Sequence, residues 1–86
     1  MPEISRFYGI VVKMFFDEHP PPHFHAEYGE YGALINIDTL GVFAGKLPQR
    51  ALSLVVEWAS LHQEELRSNW QKVEKLDSPN KIDPLD

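Results

Sequence analysis

The chain of 86 residues contains no cysteine, which excludes a disulfide framework and any thiolate-ligated metal site. No run of about eighteen apolar residues occurs, and no basic segment leads into an apolar core at the N-terminus. The expectation is therefore a cytoplasmic protein that does not engage a membrane. Basic residues are scarce: eight Lys and Arg stand against thirteen Asp and Glu, a formal charge of −5. Only Arg6, Lys13, Lys46 and Arg50 are basic before the last third of the chain. Counterion release supplies much of the affinity of nucleic-acid-binding domains, which usually carry a basic face. Autonomous nucleic-acid binding is disfavoured on that ground. Glycine-rich phosphate loops, serine triads and zinc-finger spacings are also missing, as are internal repeats and low-complexity runs.

What is present suits one small soluble domain over residues 1–86. Hydrophobic residues make up 43% and charged residues 24%, enough for a single core with little stability to spare. Ile4 to Phe16 is rich in aromatic and β-branched residues without helical period, which reads as a strand. Gly9 interrupts it as a bulge or a close backbone approach. Asp17-Glu18-His19-Pro20 signals a turn, and Pro20-Pro21-Pro22 holds the chain extended behind it. A second strand runs from about His23 to Tyr28 and turns at Gly29-Glu30-Tyr31-Gly32. A third covers Ala33 to Ile37, and a short fourth covers Val42-Phe43-Ala44.

Pro48 suits a first helical turn. Beyond it Ala51, Val55, Trp58, His62, Leu66, Trp70 and Val73 recur at three- and four-residue steps. One helix over about 48–76 is expected, roughly 40 Å at 1.5 Å per residue. That is longer than a short sheet can cover, so its far end should break, bend or project, and an exposed Trp70 would mark a partner interface. Pro79 and Pro84 make the tail, 77–86, extended, with Ile82 and Leu85 free to anchor it. The fold class is α+β: a small antiparallel β-meander of three to four strands over about 4–45, packed on one long C-terminal helix.

Three of the four histidines fall between His19 and His25. Strand alternation puts His23, His25 and Glu27 on one face and Phe24, Ala26 and Tyr28 on the other. One reading is a divalent-metal site built from His23 and His25 with His19 or Glu27 completing the set, since a His-x-His pair on a strand can reach one ion; no other cofactor is indicated. A second is metal-free acid–base catalysis by His23, His25 and Glu27, with Arg6 or Arg50 as the cation and Tyr8 or Tyr28 as an auxiliary donor. RNA cleavage would use such a set, but the acidic charge weighs against that substrate. The third reading is structural, with the imidazoles on backbone carbonyls, the prolines as a rigid rim and the whole stretch as an interaction surface. The matching alternative function is a non-catalytic interaction module that pairs with a neighbouring protein through strand edges and Trp70, Ile82 or Leu85. His62, on the apolar stripe of the helix, reads as a core or boundary residue that could approach His23 or His25.

The opening Met1 to Phe15, the run from Asp17 to Tyr28 with its Pro-Pro-His-Phe-His-Ala-Glu-Tyr motif, and Leu47 to Leu52 resemble one family. Val56-Glu57-Trp58-Ala59, Leu61, His62, Glu65-Leu66, Trp70 and the closing Lys81 to Leu85 match it as well. The chain is similar in this way to small bacterial proteins grouped as domain of unknown function forty-one-sixty. Pro21 stands where the family commonly has another residue, which stiffens the rim and removes no titratable group. Some members are described as toxins of two-gene toxin–antitoxin modules. The resemblance thus implies a cognate small protein encoded nearby as partner, together with growth-inhibitory activity. It carries no catalytic residues over, and it leaves self-association and enzymatic activity open.

Overall fold

The computed structural model describes residues 3–86. Five strands come first: β1 (Glu3–Phe7), β2 (Ile10–Lys13), β3 (His23–Tyr28), β4 (Tyr31–Asn36) and β5 (Val42–Lys46). Two helices follow, α1 (Gln49–Leu61) and α2 (Gln63–Glu74). The strands form one antiparallel sheet in chain order, β1-β2-β3-β4-β5. The α+β class and the meander hold, but two expected features do not.

The apolar run Ile4 to Phe16 is a hairpin and not a single strand, which raises the strand count to five. Phe7 pairs with Ile10 across a two-residue loop. Both loop residues, Tyr8 (φ 51°) and Gly9 (φ 80°), lie in the left-handed region, as a type I′ turn demands. Tyrosine in place of the usual Asn or Asp hides that turn inside a run of aromatic and β-branched residues. The second miss is the long helix, which stops at His62 (φ −128°, ψ 24°) and restarts as α2. A single residue out of helical geometry leaves the three- and four-residue spacing almost intact, so periodicity reads straight across the break. The break keeps both apolar stripes on the core: Ala51, Val55, Trp58 and Ala59 from α1, and Leu66, Trp70 and Val73 from α2.

The sheet packs one face on these helices. Ile4, Ile10, Val12, Phe24, Ile35 and Trp58 are all fully buried, and Phe24 meets the Trp58 ring edge-on at 5.9 Å. Gln63 donates to the carbonyl of Ile37 at 2.9 Å, and Arg67 pairs with Asp38 at 2.9 Å, tying α2 to the end of β4. Trp70 is buried and is not the partner-facing residue considered from the sequence.

The tail folds onto its own domain. The Ile82 amide donates to the Ile4 carbonyl at 2.8 Å, covering the free edge of β1. Trp58 Nε1 donates to the Asp83 carbonyl at 2.8 Å, and Ile82 is buried. Buried Asn69 donates to the Asn80 carbonyl at 2.9 Å and accepts the Asn80 amide at 2.8 Å. That side chain is the clamp between α2 and the tail. Asn69→Ala should cost about 2 kcal/mol of stability, because two hydrogen bonds of a buried amide are lost. Urea unfolding measures the cost, and the Ile82 amide should exchange faster in the variant; an unchanged exchange rate would count against the clamp.

Candidate functional site

β3 is the central strand, and its alternation produces two unlike faces. Phe24 and Ala26 are fully buried against the helices, while His23, His25 and Glu27 point the other way. Tyr28, expected on the packing face, sits at the strand end and is 39% exposed. His23 opens the strand and is only 4% exposed. Its ring is walled by Trp70 at 5.1 Å and Phe43 at 5.4 Å between ring centroids. Phe15 meets the ring of His25 edge-on at 4.5 Å.

His23 Nδ1 lies 2.8 Å from the Pro21 carbonyl oxygen. A carbonyl can only accept, so Nδ1 carries the hydrogen and donates. In the neutral ring Nε2 is then left with a lone pair. That atom is buried and has no hydrogen-bond partner among the described residues. The Glu18 carboxylate faces it, with Oε1 3.5 Å away. The same oxygen is in direct contact with His25 Nε2. One ligand-capable atom from each of Glu18, His23 and His25 lies within 4.8 Å of the others. The Glu18 and His25 side chains are 28% and 25% exposed, so the cluster is sealed on the His23 side and reachable from the other.

Glu18 was read from the sequence as part of a turn. Three prolines separate it from β3 and bring the chain back so that its carboxylate meets the strand's histidines. The available signal was a carboxylate placed just before a proline-stiffened return to a His-x-His strand. Burial alone would raise the Glu18 pKa. Hydrogen bonding and charge interaction with His25 and, less strongly, with His23 outweigh it, so the carboxyl titrates below its ordinary value of 4.5.

The other candidates from the sequence lie elsewhere. Glu27 shares the face of His25 but is paired with Lys13 Nζ at 3.0 Å. His19 is exposed and is not one of the converging groups; it lines a neighbouring concavity with Asp17, Glu18, Trp70 and Glu74. Arg6 is held by Glu3 at 2.8 Å on β1. Tyr8 belongs to the β1–β2 turn at the far end of β3, where it lines a groove of about 640 Å³ with Tyr28 and Arg50. His62 sits at the helix break, bonded to Glu65 at 2.6 Å with its ring 5.6 Å from that of Trp58. The structure thus joins His23 and His25 to Glu18 and does not bring Glu27, Arg6, Tyr8 or His19 into that cluster.

The family model described as Domain of unknown function (DUF4160) matches residues 9–71. The chain belongs to that family. The matched span contains Glu18, His23 and His25 and runs from the β1–β2 turn into α2, so the whole cluster falls within the DUF4160 region. Searches of curated proteins and of solved structures found no match. No helix among the described residues is long and apolar enough to cross a membrane.

Because the folded pKa of Glu18 is lowered, its ionised form stabilises the fold above the ordinary carboxylate value, and that contribution disappears as pH falls through the folded value. Glu18→Gln should therefore be less stable than wild type by about 1 kcal/mol at about pH 6. The difference should shrink as pH is lowered through the folded value and vanish below it. Urea unfolding across a falling pH series checks this, and a gap that does not shrink would contradict the assignment.

Proposed function

We propose that this DUF4160 protein is a divalent-metal-binding domain, with Glu18, His23 and His25 as the protein ligands. The observation that carries the reading is the Nε2 atom of His23, buried, unpartnered and directed at the other two groups. A buried polar atom without a partner costs about 1–3 kcal/mol, and an ion at that point removes the deficit. The Nδ1 donation to the Pro21 carbonyl supports the same reading, because a ligating imidazole is normally oriented through its other nitrogen. Two imidazoles and one carboxylate suit an ion of the zinc class, whereas magnesium and calcium prefer all-oxygen sets.

Two other readings fare less well. Metal-free acid–base chemistry would have only His25 and Glu18 within reach of a substrate, because His23 is enclosed by Trp70 and Phe43. A non-catalytic interaction module pairing through Trp70, Ile82 or Leu85 is less favoured, because Trp70 and Ile82 are buried in the core and Leu85 packs against it.

We further propose, on the family resemblance, that the domain is the toxin-like member of a two-gene module bound by a cognate small protein. Support for that role comes from the resemblance, and the geometry adds only a site through which it could act. Induced in a bacterial host lacking the partner, wild type is expected to slow growth. Unimpaired growth would remove the toxin role and leave metal binding untouched.

For the metal site itself, protein purified without an affinity tag should bind about one equivalent of Zn²⁺ by calorimetry. His23→Ala/His25→Ala should lower the affinity by more than about tenfold. Binding of equal strength in the double variant would refute the ligand set.

A further inference from the structure

Helix α1 carries two stripes. Ala51, Val55, Trp58 and Ala59 are buried in the core. A second row, Arg50, Leu54, Glu57 and Leu61, follows steps of four, three and four residues, which keep side chains on one side of a helix. Arg50 and Glu57 are exposed, Leu54 is half-buried, and Leu61 is 68% exposed. The row reads cation, apolar, anion, apolar.

Neither charge is satisfied within the chain. Arg50 and Glu57 form no ion pair among the described residues. Arg50 also stands in the first turn of α1, the positive end of the helix, where a cation is disfavoured. No acidic residue of that turn offsets it. The first three members of the row line the groove of about 640 Å³ together with Tyr8, Tyr28 and Leu85. Both tyrosine rings are open to solvent there, Tyr8 at 58% and Tyr28 at 39% exposure.

The spacing of the row selects its occupant. Seven residues separate Arg50 from Glu57, two helical turns or about 10 Å, and Leu54 lies within about one residue of their midpoint. An antiparallel helix with the same row therefore fits in one register. Arg50 meets Glu57 of the second helix, Glu57 meets its Arg50, and Leu54 meets Leu54 at the two-fold axis. Opposite charges set evenly about an apolar centre are what a self-complementary, isologous contact needs. A partner segment of one charge sign would satisfy one end of the row and be repelled by the other.

We infer that this face of α1 pairs with the same face of a second copy of the chain. The helices run antiparallel about Leu54, with two reciprocal Arg50–Glu57 ion pairs and the tyrosines at the rim. The pairing places a carboxylate beside the first turn of each α1, where it is favoured. Tyr8 and Tyr28 stand at the end of β3 remote from His23, so the dimer leaves the Glu18, His23 and His25 cluster open.

Sedimentation equilibrium of the full chain should show monomer and dimer in exchange over a micromolar concentration series, with the dimer weakened by added salt. Arg50→Glu and Glu57→Arg should each weaken self-association by more than about tenfold, because like charges then face one another at both ends. Mixed in equal amounts, the two variants should associate about as tightly as wild type. One chain then carries two carboxylates on the row and the other two guanidinium groups, so both ion pairs return. Arg50→Glu/Glu57→Arg in a single chain should restore the homodimer for the same reason. Should either reversal fail to fold, the neutral variants Arg50→Gln and Glu57→Gln should still weaken the dimer severalfold. A chain that stays monomeric throughout the series would overturn the inference and leave the face to a different occupant. A dimer that both reversals leave intact, or that mixing does not restore, would overturn it as well.

Discussion

The hydrogen bond from His23 Nδ1 to the Pro21 carbonyl, 2.8 Å long, is the contact on which the chemistry of this domain turns. It sets which nitrogen of a buried ring carries the hydrogen and aims the other at Glu18 and His25. Without it His23 would be one more imidazole packed among aromatic rings, free to turn either nitrogen toward its neighbours. The acceptor belongs to the three-proline segment, whose restricted φ angles hold that carbonyl in place. The same segment returns Glu18 to the strand, so one stretch of chain both orients a ligand and delivers another.

That arrangement depends on the sheet being two-sided. On one face Phe24, Ala26 and Ile35 disappear under the helices. The other face carries Lys13, His25 and Glu27. The helix break at His62 contributes indirectly, because it lets Trp70 on α2 lie both in the core and against the His23 ring. The wall that seals His23 is thus built by a helical residue whose role cannot be seen from its own element.

Stability and site are joined at the margins of the fold. The tail closes the β1 edge through Ile82 and Ile4 and caps Trp58 through Asp83. A small sheet with an uncovered strand edge invites pairing with other chains, and here the domain covers that edge with its own C-terminal segment. At the opposite edge β5 is exposed along its length, but positive-φ Gly45 and a register shift against β4 disturb its regular ladder. Such irregularities discourage strand addition.

Period and composition were enough to reveal an α+β meander, the two faces of β3, the amphipathic stripe of the helical half and a histidine pair on one strand. These are properties of residues near one another in sequence, where alternation and three- and four-residue spacing act directly. Three features were out of reach. The Tyr8-Gly9 turn was hidden because its first residue is of a type that usually extends a strand. The break at His62 was hidden because one residue does not disturb the apolar period. The third was the choice of carboxylate: Glu27, two residues from His25, pairs with Lys13, while Glu18, seven residues away, meets both histidines. Strand alternation determined which groups could face the site. Only the tertiary return of the proline segment decided which carboxylate arrives there, because that depends on where a loop ends in space and not on its distance along the chain.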